Sequence, residues 1–190
     1  EKNKITFIGP SADSMNLCGD KMECKAAMLK AEVPTVPGSP GLVKDAEDAA
    51  KVANDIGYPV MLKSVYGGGG RGIRIVTNDK ELHDGFETVT SESIAAVGKS
   101  AIIVEKFLEK TRHIEYQMCR DHHGNSVHLF ERECSIQRRN QKLIEQTPSP
   151  VVDDAKREEI GEIVVRAAEA VDYTNLGTAE FLRADNGEFY

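Results

Sequence analysis

With 190 residues the chain is long enough for one domain or two small ones, and for a core that takes roughly 70% of the unfolded surface out of water. Hydrophobic residues make up 40% and charged residues 29%, and the net charge of −7 is spread along the sequence, which excludes a basic face for nucleic acid. The sequence has neither an apolar run long enough to span a bilayer nor a signal peptide, so no membrane is expected and the location reads as cytoplasmic, or the mitochondrial matrix in a eukaryote.

Cys18, Cys24, Cys119 and Cys134 form no CxxC pair and stand at no zinc-ligand spacing with histidine, which predicts reduced thiols. The chain opens at Glu1 without methionine and stops at Phe189-Tyr190 inside a strand-like segment, so further sequence is expected on both sides.

Ile5 to Ile8 reads as a buried-type strand closed by Gly9-Pro10, and Ser11 to Lys30 as a helix that Val33-Pro34 stops. Pro34 to Gly41, with three prolines and two glycines, is the strongest linker signal. Asp45 caps a helix that Gly57 ends. Val60 to Val65 is a strand, Gly67 to Gly72 a glycine loop and Ile73 to Val76 the returning strand, after which Asn78 and Glu81 resemble a capping box. Ala101 to Phe107 is a strand. Ile114, Tyr116 and Met118 alternate with Glu115, Gln117 and Cys119 in a half-buried strand that turns at His123-Gly124-Asn125 and pairs with Val127 to Arg132. Ala155 to Val171 carries one apolar helical face, and Thr178 to Leu182 is a strand leading to an Asp185-Asn186-Gly187 turn. The pattern is α+β: a small lobe from about Pro40 to Leu108 and a second sheet-based lobe from Glu109 onward, with a nucleotide cleft expected at the crossing.

Five glycines in the six positions Gly67-Gly68-Gly69-Gly70-Arg71-Gly72 are poor choices for packing or backbone stability. Their gain is unobstructed backbone N–H groups, suited to lie over a phosphate chain. No Gly-Lys-Ser/Thr follows, which excludes a Walker-type loop. A flexible hairpin tip explains the glycines equally well until Lys63 is added. It sits in an apolar strand just before the loop, where an ammonium can meet phosphate oxygens. Glu105, Lys106, Phe107 and Leu108 stand at the lobe crossing, where backbone groups free of a ladder can hydrogen-bond an adenine edge, although by itself the segment reads better as a strand end with a salt bridge. Between Glu131 and Lys142 the residues are polar and of both signs. A solvated loop is the default, but Glu133, Gln137, Arg139 and Lys142 would converge on a small oxyanion if the segment lines a cleft. Glu180, in an otherwise apolar strand, needs a partner, and Mg²⁺ bridging nucleotide phosphates is a natural one.

Taken in order, FIGPSADSMNLCGDK, VPTVPGS, YPVMLKSVYGGGGRGIRIV, VEKFLEKTRHIEYQ, HLFERECSIQRRNQKLIEQTPSP and GTAEFL resemble the biotin carboxylases of the ATP-grasp superfamily over essentially the whole chain. The resemblance implies an ATP-grasp fold, with residues 1–35 ending an N-terminal lobe, 36–108 forming the lid subdomain and 109–190 the first part of the large subdomain. It implies that ATP and bicarbonate form carboxyphosphate, which carboxylates biotin on a carrier protein beside a carboxyltransferase, in a homo-oligomer. Lys21 and Lys63 would touch phosphates, Gly69 and Gly70 would belong to the lid, and Glu105 to Leu108 would hold adenine. His113 and Gln137 would line the nucleotide site, Lys142 would lie near phosphate and bicarbonate, and Glu180 would bind Mg²⁺ or Mn²⁺.

Asn140 stands where many members have histidine. Asparagine keeps a hydrogen bond to ribose or main chain, and the variant points toward acyl-CoA carboxylases, with acetyl-CoA, propionyl-CoA and pyruvate left open as acceptors. A second metal carboxylate, an asparagine, a catalytic arginine and the bicarbonate base would follow Tyr190, so the chain alone is expected to be inactive. Two other readings remain: another ATP-grasp ligase, which would lack ERECSIQRRNQK, and an ATP-binding module without chemistry.

Overall fold

Two helices, α1 (Ala12–Gly19) and α2 (Lys21–Lys30), stand where the sequence predicts one. Asp20 breaks them. Its extended backbone ends α1, and its carboxylate accepts from the N–H groups of Met22 and Glu23 at 2.9 and 3.1 Å, capping α2. A side chain that satisfies orphan helical donors competes with continuing the helix. The computed structural model describes residues 5–65, 72–139 and 141–190. Within these the expected strand at Ile5 to Ile8 does not form. Ile5, Phe7 and Ile8 are 75%, 66% and 84% exposed, and no described strand pairs with them.

The chain divides into two units, Val36–Glu109 and the residues up to Thr35 together with Lys110–Tyr190. In the first, α3 (Ala46–Ile56) starts at Asp45, whose carboxylate accepts from the Asp48 N–H at 2.8 Å, and ends at Gly57 with a φ of 76° that glycine adopts freely. Then come β1 (Val60–Ser64), β2 (Ile73–Val76), α4 (Asp79–Val97) and β3 (Ile102–Lys106). The strands form an antiparallel sheet of order β2-β1-β3, with Ala49, Ala53, Leu82 and Val89 of the helices buried with Val60, Leu62 and Val104. The capping box at α4 is shifted. Asn78 accepts from the Glu81 N–H at 3.0 Å, while the Glu81 carboxylate accepts from the N–H and hydroxyl of Thr77 at 2.9 and 2.8 Å.

The proline-rich stretch expected as a linker is in fact strapped to β3. Gly38 bridges Glu105. The Ser39 N–H donates to the Val104 carbonyl at 2.8 Å, and the Ser39 hydroxyl accepts from the Val104 N–H at 3.2 Å.

The second unit holds β4 (Arg112–Arg120), β5 (Ser126–Arg138), β6 (Gln141–Gln146), α5 (Asp154–Ala170) and β7 (Asn175–Arg183), its strands antiparallel in the order β6-β5-β4-β7. Ile160, Ile163, Val164 and Ala168 of α5 pack in one core with Ile114, Tyr116 and Met118 of β4 and Phe181 of β7. Each buried aliphatic side chain of that size stabilises by roughly 1.5–3 kcal/mol. The polar stretch whose default was a solvated loop is the β5–β6 hairpin. Its strand period is hidden because β5 turns Glu131 and Glu133 inward, 1% and 7% exposed, where hydrogen bonds replace apolar contact. Among the described residues no helix is long and apolar enough to cross a membrane.

Candidate active site

Strand pairing places Glu115 of β4 opposite Glu180 of β7 and opposite Arg132 of β5. Two carboxylates side by side on neighbouring strands repel unless a cation intervenes. Lys142 of β6 supplies it: its ammonium donates to Glu115 and, at 2.7 Å, to Glu180 Oε1. Arg132 grips the other oxygen of Glu115, with Nη2 at 2.6 Å and Nε at 2.7 Å, and donates to Gln117 Oε1 at 3.1 Å. Glu115 is buried, its side chain 4% exposed, whereas Glu180 is 57% exposed. Burial pushes the Glu115 carboxyl up, but Lys142 and Arg132 more than offset this and hold it below the usual glutamate range. Burial likewise acts against the Lys142 ammonium, and its bonds to Glu115 and Glu180 outweigh that and hold it above the ordinary lysine range.

His113 and Gln137 border this cluster. The Gln137 amide nitrogen donates to the Cys134 carbonyl at 2.8 Å and faces His113 Nδ1 at 3.2 Å. Nδ1 therefore accepts, and a neutral His113 carries its hydrogen on Nε2. That nitrogen is buried without a hydrogen-bond partner among the described residues, 3.4 Å from Glu180 Oε1 and 3.8 Å from Glu115 Oε2. In this tautomer Nε2 carries the hydrogen and offers no lone pair to a metal. Oxygen ligands suit Mg²⁺ or Mn²⁺. Glu115 is buried and engaged by two cations, whereas Glu180 is exposed and, among the described residues, engaged by Lys142 alone, which makes Glu180 the more accessible carboxylate for a metal. Glu115, Cys134 and Glu145 also lie close together. Burial first, then Glu115 and Glu145, push the Cys134 thiol up to about 11, which disfavours the thiolate that would bind an ion.

In the other unit Lys63 of β1 pairs with Glu105 of β3, Nζ to Oε2 at 2.5 Å. Lys106 points elsewhere, its ammonium donating to the carbonyls of Gly57 and Tyr58, both at 2.9 Å, beyond the end of α3. The expectation of backbone groups free of a ladder at the crossing fails: Glu105 pairs with Met61 of β1 and bridges Gly38, the Lys106 N–H donates to Pro37 O at 2.7 Å and the Phe107 N–H to Pro59 O at 3.1 Å. Leu108 is half-buried. Gly72, at φ 69°, donates its N–H to Glu92 at 3.2 Å and accepts from the Ser64 N–H at 2.8 Å. Gly67, Gly68, Gly69, Gly70, Arg71 and Asn140 lie outside the described residues.

Lys142, His113, Gln137 and Glu180 thus come together as a group. The predicted convergence fails for Glu133, which β5 turns inward, where it pairs with Arg112 at 2.5 Å and accepts from the Ser149 hydroxyl at 2.7 Å. Arg139 is exposed at the β5–β6 turn and makes no hydrogen bond or ion pair among the described residues. Lys21 is exposed at the start of α2. Glu180 faces outward although its strand is otherwise apolar, because β7 turns its neighbour Phe181 inward. Sequence reasoning missed Glu115 and Arg132. Alternation assigned Glu115 to the polar side of its strand, and the only available signal was a glutamate among half-buried positions two residues from His113.

Residues 20–190 match the family described as the carbamoyl-phosphate synthase L chain, ATP binding domain. The chain belongs to this family. Within this family of ATP-binding domains, it is 50% identical over 186 residues to a biotin carboxylase of Nostoc sp., which covers 98% of this chain and 42% of that one. The biotin carboxylase domain dimer of Hydrogenobacter thermophilus 2-oxoglutarate carboxylase, solved with MgADP, ADP and bicarbonate, superposes with a TM-score of 0.88 at 48% identity, over all of this chain and 42% of that one. A biotin carboxylase–β-γ-ATP complex from Campylobacter jejuni gives 0.89 at 46% identity, again over 42% of that chain. The architecture is therefore the expected α+β ATP-grasp fold, and the chain spans less than half the length of these relatives.

Proposed function

We propose that this chain is the ATP-binding part of a biotin carboxylase, the component of a biotin-dependent carboxylase that uses ATP and bicarbonate to carboxylate biotin on a carrier protein. The observation that carries the proposal is Lys142 shared between buried Glu115 and exposed Glu180, with His113 and Gln137 alongside. This sets a cation for an oxyanion next to a carboxylate for a metal. It is supported by relatives that are themselves biotin carboxylases, one of them solved with MgADP and bicarbonate.

Bicarbonate is a weak nucleophile, so the reaction activates it as carboxyphosphate by phosphoryl transfer from ATP. Catalysis then rests on positioning and charge neutralisation. In this reading Lys63 and Lys21 hold phosphate oxygens, Lys63 exchanging Glu105 for the nucleotide. Glu105 to Leu108 border the adenine, and His113 and Gln137 border the nucleotide. Lys142 meets phosphate and bicarbonate, and Glu180 would hold Mg²⁺ or Mn²⁺, which would supply positive charge to neutralise phosphate. The lid role of Gly67 to Gly72, the ribose role of Asn140 and the oxyanion role of Arg139 rest on the family resemblance. So do the assignment of residues 1–35, 36–108 and 109–190 to N-terminal lobe, lid and large subdomain, the carrier and carboxyltransferase as partners, the homo-oligomer, and the cytoplasmic or matrix location. The full-length protein tests the proposal: ATP cleavage should depend on bicarbonate and rise severalfold with free biotin. Cleavage indifferent to biotin would point to a different ATP-grasp ligase.

A further inference from the structure

Lys142 sits where two unequal carboxylates compete for it. Glu115 is buried, and its two oxygens are taken by Arg132 and Lys142, so losing the lysine would strand one oxygen of a desolvated carboxylate. Glu180 is more than half exposed, and water can replace its bond to Lys142 at little cost. A divalent cation arriving at Glu180 meets an ammonium 2.7 Å from the same Oε1. Like charges at that distance are strongly unfavourable, so one must leave. The asymmetry decides which bond breaks, since the lysine keeps Glu115 and gives up Glu180.

We infer that Lys142 is the resident counter-ion of the metal-binding carboxylate, and that a divalent cation loads by displacing Lys142 from Glu180 while Glu115 retains it. Lysine has three N–H donors, so the exchange frees one for an incoming oxyanion. His113 Nε2 lies 3.4 Å from Glu180 Oε1 but makes no hydrogen bond to it. The inference rests on the proposed metal role of Glu180 and gives Lys142 a positioning role before any chemistry.

Mn²⁺ binding tests it, measured by the electron paramagnetic resonance of free Mn²⁺ with nucleotide-free, full-length protein. Lys142→Met removes the competing cation, and the Mn²⁺ dissociation constant should fall about tenfold, in keeping with the loss of a unit charge beside the ligand. Lys142→Gln, which keeps an N–H donor for Glu115 but no charge, should tighten Mn²⁺ binding by a similar factor, which separates the charge effect from any loss of folding. Glu180→Gln should weaken binding at least about tenfold, as expected for removing a direct ligand. Unchanged or weaker binding by both Lys142 variants, with Glu180→Gln weakened, overturns the exchange and leaves the metal role of Glu180 standing. Unchanged binding by Glu180→Gln overturns both.

Discussion

The guanidinium of Arg157 grips the carboxylate of Glu131 in the interior of the second unit, Nε 2.8 Å from Oε2 and Nη2 2.9 Å from Oε1. The Ser149 N–H adds a third bond at 3.0 Å, and Arg157 also donates to the Val152 carbonyl at 2.9 Å. This fork joins the first turn of α5 to β5 beneath the hairpin that carries Lys142. A buried pair is weak evidence of net stabilisation, but breaking one partner leaves an uncompensated charge. Glu131→Gln should therefore destabilise the full-length protein by about 3 kcal/mol in chemical denaturation. The double variant Glu131→Met/Arg157→Met should cost less than Glu131→Gln alone. Equal costs would show that packing, and not the charge, sets the loss.

The same carboxylate predicts the acid limb of stability. Burial pushes the Glu131 carboxyl up, but Arg157 and Ser149 hold it below the usual range, and Glu133 is held down in the same way by Ser149 and Arg112 against burial. A pKa lowered by folding contributes stability above the unfolded value, near 4.3 for glutamate, and loses it as pH falls through the folded value. Denaturation midpoints should be flat from pH 7 to about 5 and fall steeply below about 4. Glu131→Gln should flatten that fall, and an unchanged slope would exclude Glu131 as a contributor.

Gly38 tests the strap on β3. A Cβ there would lie 2.4 Å from the Val104 carbonyl oxygen and 3.1 Å from Glu105 Cα, both backbone atoms that cannot swing aside. Gly38→Ala should cost about 1–3 kcal/mol, the usual range for forced overpacking. It should also raise the KM for ATP if Glu105 borders the nucleotide. Gly41 is the matched control: nothing lies within 4 Å of its added Cβ, and Gly41→Ala should be near neutral. Similar losses in both variants would show that the close approach to β3 is not the cause.

Segments whose period matched their burial were legible in the sequence. The α5 face and the β1–β2 pair follow from apolar spacing, and the Asp45 cap and the Gly57 stop follow from residue chemistry. The β5–β6 hairpin was not legible, because Glu131 and Glu133 occupy inward positions where the pattern expects apolar side chains. Glu115 was hidden for a different reason: it lies on the polar side of its strand, and its burial is recognisable only with Arg132 and Lys142 beside it, which lie 17 and 27 residues away. Lys63 stands out in the sequence as a charge within an apolar strand, while its partner Glu105, 42 residues on, needed the β1–β3 register.

That pairing sets the prediction for Lys63. If its ammonium exchanges Glu105 for a phosphate, Lys63→Ala removes a charge-assisted bond of about 1.5–3 kcal/mol. The KM for ATP in the full-length enzyme should rise at least about tenfold. An unchanged KM would confine Lys63 to the ion pair with Glu105.

Asp20 offers a finer test, because its carboxylate caps the helix that Lys21 begins. Its carboxylate caps α2 at Met22 and Glu23, which fixes where the helix, and Lys21 as its first residue, begins. Asp20→Ala should cost about 1 kcal/mol of stability. It should also raise the KM for ATP without removing any cation. Asp20→Asn keeps an acceptor for the same two N–H groups, and asparagine caps helices about as well as aspartate, so it should restore the KM. If Asp20→Asn matches Asp20→Ala in KM, the negative charge matters more than the cap, and Asp20 acts on its surroundings electrostatically.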